Sequence, residues 1–324
     1  MNHLSCLLAV LILFTAVSAT QASGAGLGDS PANPWSVTPL ARNYFSSHTS
    51  YEFGNPFPPY QAPLSRLEFP LNSWWAGAEV KRNFSRFSVG IEAMRNLSGE
   101  ADGQFKDSDW DDDARPGVKT IYSESNLRID PSYTVRGDVD LKISDWVGLP
   151  SGFDLRPVVG FRWQRLSFVT HDGLQVYPAP GDTTPPVPLP GDGIRFEQTY
   201  RQAFLGVRTA YEWESPRYVS RLGVRMQLDW AYVKGDNVDH HLLREGQRFT
   251  YEKTRGDAWH ASLGLDVGLT QRLSANFDVD YLRLDTTGSH RWVNAVFGED
   301  TSSDYAVNVW SEQVSLTMGL KYAF

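Results

Sequence analysis

Beyond residue 22 the chain contains no cysteine, since its single one is Cys6. No disulfide can brace the rest, so stability must come from another source, such as a sheet closed on itself with every backbone group paired. An excess of positive charge is also missing: 30 Lys and Arg against 38 Asp and Glu leave a formal net charge of −8. That gives no support to a nucleic-acid binder, because neutralising phosphates takes a basic face. An acidic surface favours cationic partners instead. Long apolar runs are absent too. After residue 22 no window approaches the 18 or more apolar residues of a spanning helix.

What is present begins with an apolar stretch, Leu4 to Val17, followed by small-residue sites ending at Ala19 and Ala22. This reads as a secretory signal peptide over residues 1–22, cleaved after Ala19 or Ala22, although no Lys or Arg precedes it. Residues 23–324 then form a single exported domain.

Within that domain long segments alternate in a two-residue period. In the last, Val314, Leu316, Met318, Leu320, Tyr322 and Phe324 fall on one face, with Gln313, Ser315, Thr317, Gly319, Lys321 and Ala323 on the other. From Tyr218 to Tyr232 an apolar face opposes Arg221, Arg225, Gln227 and Asp229, with aromatics at the ends as in an interface girdle. Further candidates are 67–75, 87–93, 133–143, 153–163, 203–213, 259–269 and 273–281. A less regular first strand lies between Trp35 and Phe53, which brings the count to ten. The connections are unequal. Short turns fall at 81–83, 214–217 and 270–272, and long excursions at 97–126, 170–194 and 235–249, the second holding six prolines between Pro178 and Pro190. A soluble sandwich also alternates, but its inner faces need apolar partners, whereas Arg221, Arg225 and Asp229 or Asp138, Asp140 and Lys142 suit a wet lumen. The expected fold is all-β: a ten-stranded antiparallel transmembrane β-barrel with long extracellular loops.

Two long excursions carry ionisable clusters. One reads Asp107-Ser108-Asp109-Trp110-Asp111-Asp112-Asp113, the other Asp236-Asn237-Val238-Asp239-His240-His241. Asp107 and Asp109, two apart, share a face in extended geometry. Carboxylates held that closely raise one pKa and can hold a proton or a water. An acidic solvated loop is the plainer reading. Calcium fits poorly, because Asp112 and Val118 stand where such a loop needs glycine and glutamate. Asp239 and His241 share the parity of Arg221 and Asp229, so an unbroken strand turns both into the lumen and His240 outward. A carboxylate beside an imidazole suits a general base. A surface Asp-His pair is the plainer alternative, and zinc would lack ligands.

At these residues the sequence resembles the omptin family, outer-membrane endopeptidases of Gram-negative bacteria, from about Tyr51 to Phe324. The anchors are Ser65-Arg66-Leu67-Glu68, Asp107-Ser108-Asp109-Trp110 with Pro116-Gly117, Asp239-His240-His241, Phe249-Thr250-Tyr251 and Gly319 to Phe324. The resemblance implies cleavage between basic residues by water held between Asp107 with Asp109 and Asp239 with His241. It implies Glu52 and Asp236 as substrate-binding acids, no cofactor, and a monomer in the outer membrane. Lipopolysaccharide enters as the family's lipid partner: Arg165 matches one of its contacts, while Trp163, Thr199 and Gly256 depart from the family's residues. The alternative is a non-catalytic barrel, an adhesin or a passive cation-favouring pore. A serine route through Ser123 or Ser125 lacks the strand-turn-helix elbow such a nucleophile occupies.

Overall fold

The computed structural model describes residues 34–324 except 56, 59, 214–218 and 247, and gives the backbone alone at 304–306. The expected signal peptide, the turn at 214–217 and Tyr218 lie outside the described residues.

Thirteen strands form one sheet: β1 (Trp35–Phe53), β2 (Ser65–Pro70), β3 (Ser73–Asn83), β4 (Phe87–Asn96), β5 (Phe105–Asp109), β6 (Ile121–Ile129), β7 (Tyr133–Leu141), β8 (Phe153–Val176), β9 (Val187–Trp213), β10 (Arg221–His241), β11 (Arg248–Gly268), β12 (Leu273–Asn294) and β13 (Glu299–Ala323). Three spanning ribbons are split in two. The upper half of β1 pairs with β2 and its lower half with β3, and the division continues through β5 and β4 to β6 and β7, which both rejoin on β8. The thirteen strands therefore make ten ribbons, all antiparallel, and β13 closes on β1 from Ser36 opposite Ala323 to Phe53 opposite Val307. At the seam Trp35 and Phe324 exchange backbone hydrogen bonds of 3.2 and 2.9 Å. Such a ring leaves no edge, which is the condition for strands in lipid.

Alternation sorts the side chains as the period requires. Facing out on β11 are Trp259, Ala261, Leu263, Leu265 and Val267, and on β12 Phe277, Val279 and Tyr281, with Leu205, Val207, Leu228 and Tyr232 level on β9 and β10. No part of the described chain covers them, and the band is as tall as the 9 to 11 residues a spanning strand needs. Above it the outer face of β11 turns polar at Asp257, Arg255 and Lys253.

Charged and polar side chains crowd the lumen. In its lower half Arg162 binds Asp229 at 2.7 Å, Arg208 and Arg156 bind Asp140 at 2.5 and 2.8 Å, and Arg42 binds Glu92 at 3.0 Å. Hydrogen bonds cross from wall to wall, Gln164 to Gln313 at 3.2 Å and Thr49 to Gln198 at 2.7 Å. Above these lies an aromatic floor in which Phe69 stacks on Phe196 at 4.3 Å and meets Phe105 at 4.7 Å.

Two expectations need correcting. The excursions are partly strand: β10 runs on to His241, β9 starts at Val187 inside the proline-rich stretch, and β5 and much of β6 lie within 97–126. The single strand expected over 67–75 is broken at Leu71 and Asn72.

Candidate active site

Asp107 and Asp109 lie on β5, a short strand paired on both sides, with Leu67 and Ser123 opposite Asp107 and Ser65 and Ile121 opposite Asp109. Strand alternation turns both inward with Phe105 beneath them. Burial, reinforced by the charge of Asp109, pushes the Asp107 carboxyl up to about 7. Burial also raises Asp109, while a hydrogen bond from Ser65 and the charge of Arg244 oppose it.

Asp239 and His241 lie on β10, whose register is unbroken to its last residue: Asp239 stands between Phe196 and Thr250, His241 between Ile194 and Arg248. Odd residues of β10 face in, so the dyad enters the lumen well above the apolar band. His240 turns outward and stacks on Phe249 at 4.0 Å. His241 Nε2 lies 3.2 Å from Asp239 Oδ2, and that oxygen also accepts the Tyr51 hydroxyl. Asp239 has no solvent exposure, and its Oδ1 has no hydrogen-bond partner. Burial opposes its ionisation, yet the charge of His241, the hydrogen bonds from His241 and Tyr51, and the charge of Arg248 hold the carboxyl below its ordinary value. A neutral imidazole donating from Nε2 keeps its lone pair on Nδ1, where it can accept a proton.

The two pairs stand on opposite walls and feel one another. The Asp107 carboxyl is held down by His241 and pushed up by Asp239, as well as by its neighbour. An electrostatic couple of this kind, with acceptors and a base converging on one space, can hold and deprotonate a water.

The other expected site residues are not brought to this space. Glu52 lies on the outer face of β1, where Arg66 donates to it at 2.6 and 2.9 Å and Asn308 at 3.3 Å. Asp236, an even residue of β10, also points out and pairs with Arg201. At its height the inward residue is Asn237. Arg165 faces outward and binds Glu197 at 2.9 Å. Sequence reasoning missed several interior groups. Glu252 sits opposite Asn237 on β11, buried, with His290 Nδ1 2.9 Å from its carboxylate. Burial raises its pKa. Arg248 lies across from His241 with its guanidinium 3.3 Å from the Trp292 ring centroid, and burial with repulsion from Arg244 lowers its pKa to about 10. Inward parity on β11 and β12 would have found Glu252 and His290.

The family model for the omptins matches residues 73–324, which is most of the chain. The chain belongs to the omptin family. It is thus an outer-membrane peptidase of a Gram-negative bacterium. Among solved structures, the outer membrane protease OmpT from Escherichia coli is similar over 91% of this chain and 98% of its own, at a TM-score of 0.76 and 15% identity. That likeness establishes the omptin barrel fold. The translocator domain of the autotransporter NalP from Neisseria meningitidis covers 91% and 90% at 9% identity, but its TM-score of 0.38 carries no argument. No curated protein matches the sequence. The four candidate catalytic residues of this omptin all lie within the matched span, whereas Glu52 and Tyr51 precede it.

Proposed function

We propose that the protein is an endopeptidase that cleaves near or between basic residues, using water activated between Asp107 with Asp109 and Asp239 with His241. The observation that carries this reading is the placement of the two pairs: Asp107 and Asp109 on β5 and Asp239 and His241 on β10 turn inward at the same end of the lumen, above the aromatic floor. His241 takes a proton from the water as its oxygen attacks the peptide carbonyl carbon. Asp239 stabilises the imidazolium, and the proton held by the Asp pair is donated to the developing oxyanion. The imidazolium then protonates the leaving amine as the C–N bond breaks, and the hydroxyl formed from the oxyanion returns its proton to the pair as the carbonyl reforms. Selection of cationic peptides is supported by the carboxylates at the mouth, with Glu252 as a further interior acid.

No cofactor enters this scheme. Lipopolysaccharide is proposed as a lipid partner of the outer wall. Arg201, Lys234 and Arg255 stand in one outward row across β9, β10 and β11, just above the apolar band, where lipid phosphates lie. Acting in this way requires one chain only, so the working unit is a monomer.

The test uses purified, refolded protein with and without lipopolysaccharide. A peptide holding paired Arg or Lys should be cut, and its Asp or Glu counterpart should not. The same preparation should give no steady conductance in a planar bilayer, because the lumen is crossed by Gln164 to Gln313 and Thr49 to Gln198. Open-channel steps without cleavage would favour the pore reading.

The raised Asp107 fixes a pH dependence. A carboxyl titrating near 7 is neutral below that pH and ionised above it, so the proton meant for the oxyanion is lost as pH rises through about 7. We expect kcat/KM to fall on the alkaline side of that point, and Asp107→Asn, whose amide can hydrogen-bond the oxyanion but cannot transfer a proton, to be slower throughout and to lack this limb. A wild-type profile flat from pH 6 to pH 9 would remove the proton from Asp107's role.

A further inference from the structure

We propose that Tyr51 is a positioning residue of the dyad, its hydroxyl fixing the Asp239 carboxylate that in turn orients His241. The proposal rests on the catalytic reading given above. Tyr51 comes from β1 and crosses the lumen to β10, where its hydroxyl and His241 Nε2 both contact Oδ2 of Asp239, leaving Oδ1 without a partner. Two donors on one oxygen define both the position and the rotation of the carboxylate. A single contact would leave the group free to turn.

The tyrosine is itself fixed. It has no solvent exposure, and its ring is stacked on Phe53 at 6.2 Å and on Phe196 at 5.4 Å, within 21° and 12° of parallel. Phe196 is the residue of β9 directly opposite Asp239, so the ring that holds Tyr51 belongs to the wall that holds the dyad. The competing account is that Tyr51 is a core residue which borrows Asp239 to satisfy a buried hydroxyl. The two accounts differ in what the hydroxyl does to catalysis.

Around Asp239, the groups that can carry charge include His241 on its own strand, Tyr51 on β1, Arg248 and Glu252 on β11, Asp107 and Asp109 on β5 and Arg244 just past the end of β10; directly opposite on β9 stands Phe196. A hydroxyl donated to a carboxylate favours the ionised form. Removing it must therefore raise the pH at which Asp239 takes up a proton.

Tyr51→Phe keeps the ring and its stacking and deletes only the donor. Its kcat should fall by about 10- to 100-fold, the effect of losing one charge-assisted hydrogen bond, with KM changed by less than about two-fold. The acid limb of its kcat profile should move to higher pH. Phe53→Leu, which loosens the same packing but leaves the hydroxyl in place, should leave that limb where it is. An unchanged kcat in Tyr51→Phe overturns the proposal, and so does a lowered kcat with an unmoved limb, which would mark packing alone. His241→Ala separates the two levels of the reading. If it is inactive while Tyr51→Phe is fully active, the dyad stands and Tyr51 has no part in it. If it is active, the dyad itself is gone.

Discussion

Peptide cleavage by the His241→Ala protein is expected to fall by roughly 10²- to 10⁴-fold in kcat/KM, the usual contribution of a positioned general base. Among the described residues facing this space, His241 is the imidazole paired to a buried carboxylate beside the Asp pair. Glu252 already binds the other interior imidazole at this height, His290. Asp239→Ala should lose a comparable factor, because a lone imidazole has neither a fixed orientation nor a partner for its charge. The two losses should not add: the double variant should be about as slow as His241→Ala alone, since both residues serve one proton transfer. Activity is read with a quenched-fluorescence peptide on protein whose folding is checked by its heat-dependent mobility on gels. Cleavage at the normal rate by folded His241→Ala protein would sink the mechanism.

Asp229→Ala is expected to destabilise the barrel by about 3 to 5 kcal/mol, because it leaves a buried cation without its counter-charge. Asp229 has almost no exposure and accepts from Arg162 at 2.7 and 2.8 Å, from Gln227 at 2.6 Å and from His260 Nδ1 at 2.8 Å. The space it occupies is reserved by the backbone. Gly206 lies opposite it on β9, and a Cβ there would come within 2.3 Å of the Asp229 Cβ. An alanine at 229 restores no acceptor to Arg162 and leaves His260 with Asp280, 3.2 Å from its Nε2, as its remaining carboxylate. The measurement is the urea midpoint of unfolding in detergent micelles. Because the dyad stands ten residues further along the same strand, cleavage below the transition should persist. An unmoved midpoint would mean that water in the lumen solvates Arg162 well enough to replace the carboxylate.

The barrel was legible because its signal is the period itself. The faces written into Val314 to Phe324 and Leu222 to Tyr232 are the faces the strands present. Ribbon length was not legible. Past Val233 polar residues occupy both faces of β10 with Val238 as the one apolar exception, so the alternation of hydrophobicity stops there although backbone pairing continues to His241. Residues 235–241 therefore read as loop. The parity count that placed Asp239 and His241 inward held because β10 has no bulge, and the same count puts Asp236 outside.

Glu52, which the resemblance implies as a substrate-binding acid, faces outward for a local reason. Between Phe45 and His48 the register of β1 against β13 slips, with Ser46 at a φ of 50°. A one-residue slip turns every later side chain to the other face. Tyr44 faces in, and beyond the bulge so do Thr49, Tyr51 and Phe53, while Glu52 is turned out. Nothing in the letters from Phe45 to His48 announces a bulge. Glu252 and His290 were within reach of parity alone, but the alternation expected over 259–269 and 273–281 stops short of both.

The seam between β1 and β13 joins residues at opposite ends of the chain, with Phe53 opposite Val307 and Ser36 opposite Ala323. Contacts of such long sequence separation carry the largest loop-closure cost and form late. Tyr51 belongs to that seam, and its hydroxyl can reach Asp239 only when β1 has taken its place in the ring. An unclosed chain thus carries Asp239 and His241 on one hairpin but lacks the crossing tyrosine. With Tyr51 in its proposed role, the event that completes the cylinder would also complete the site.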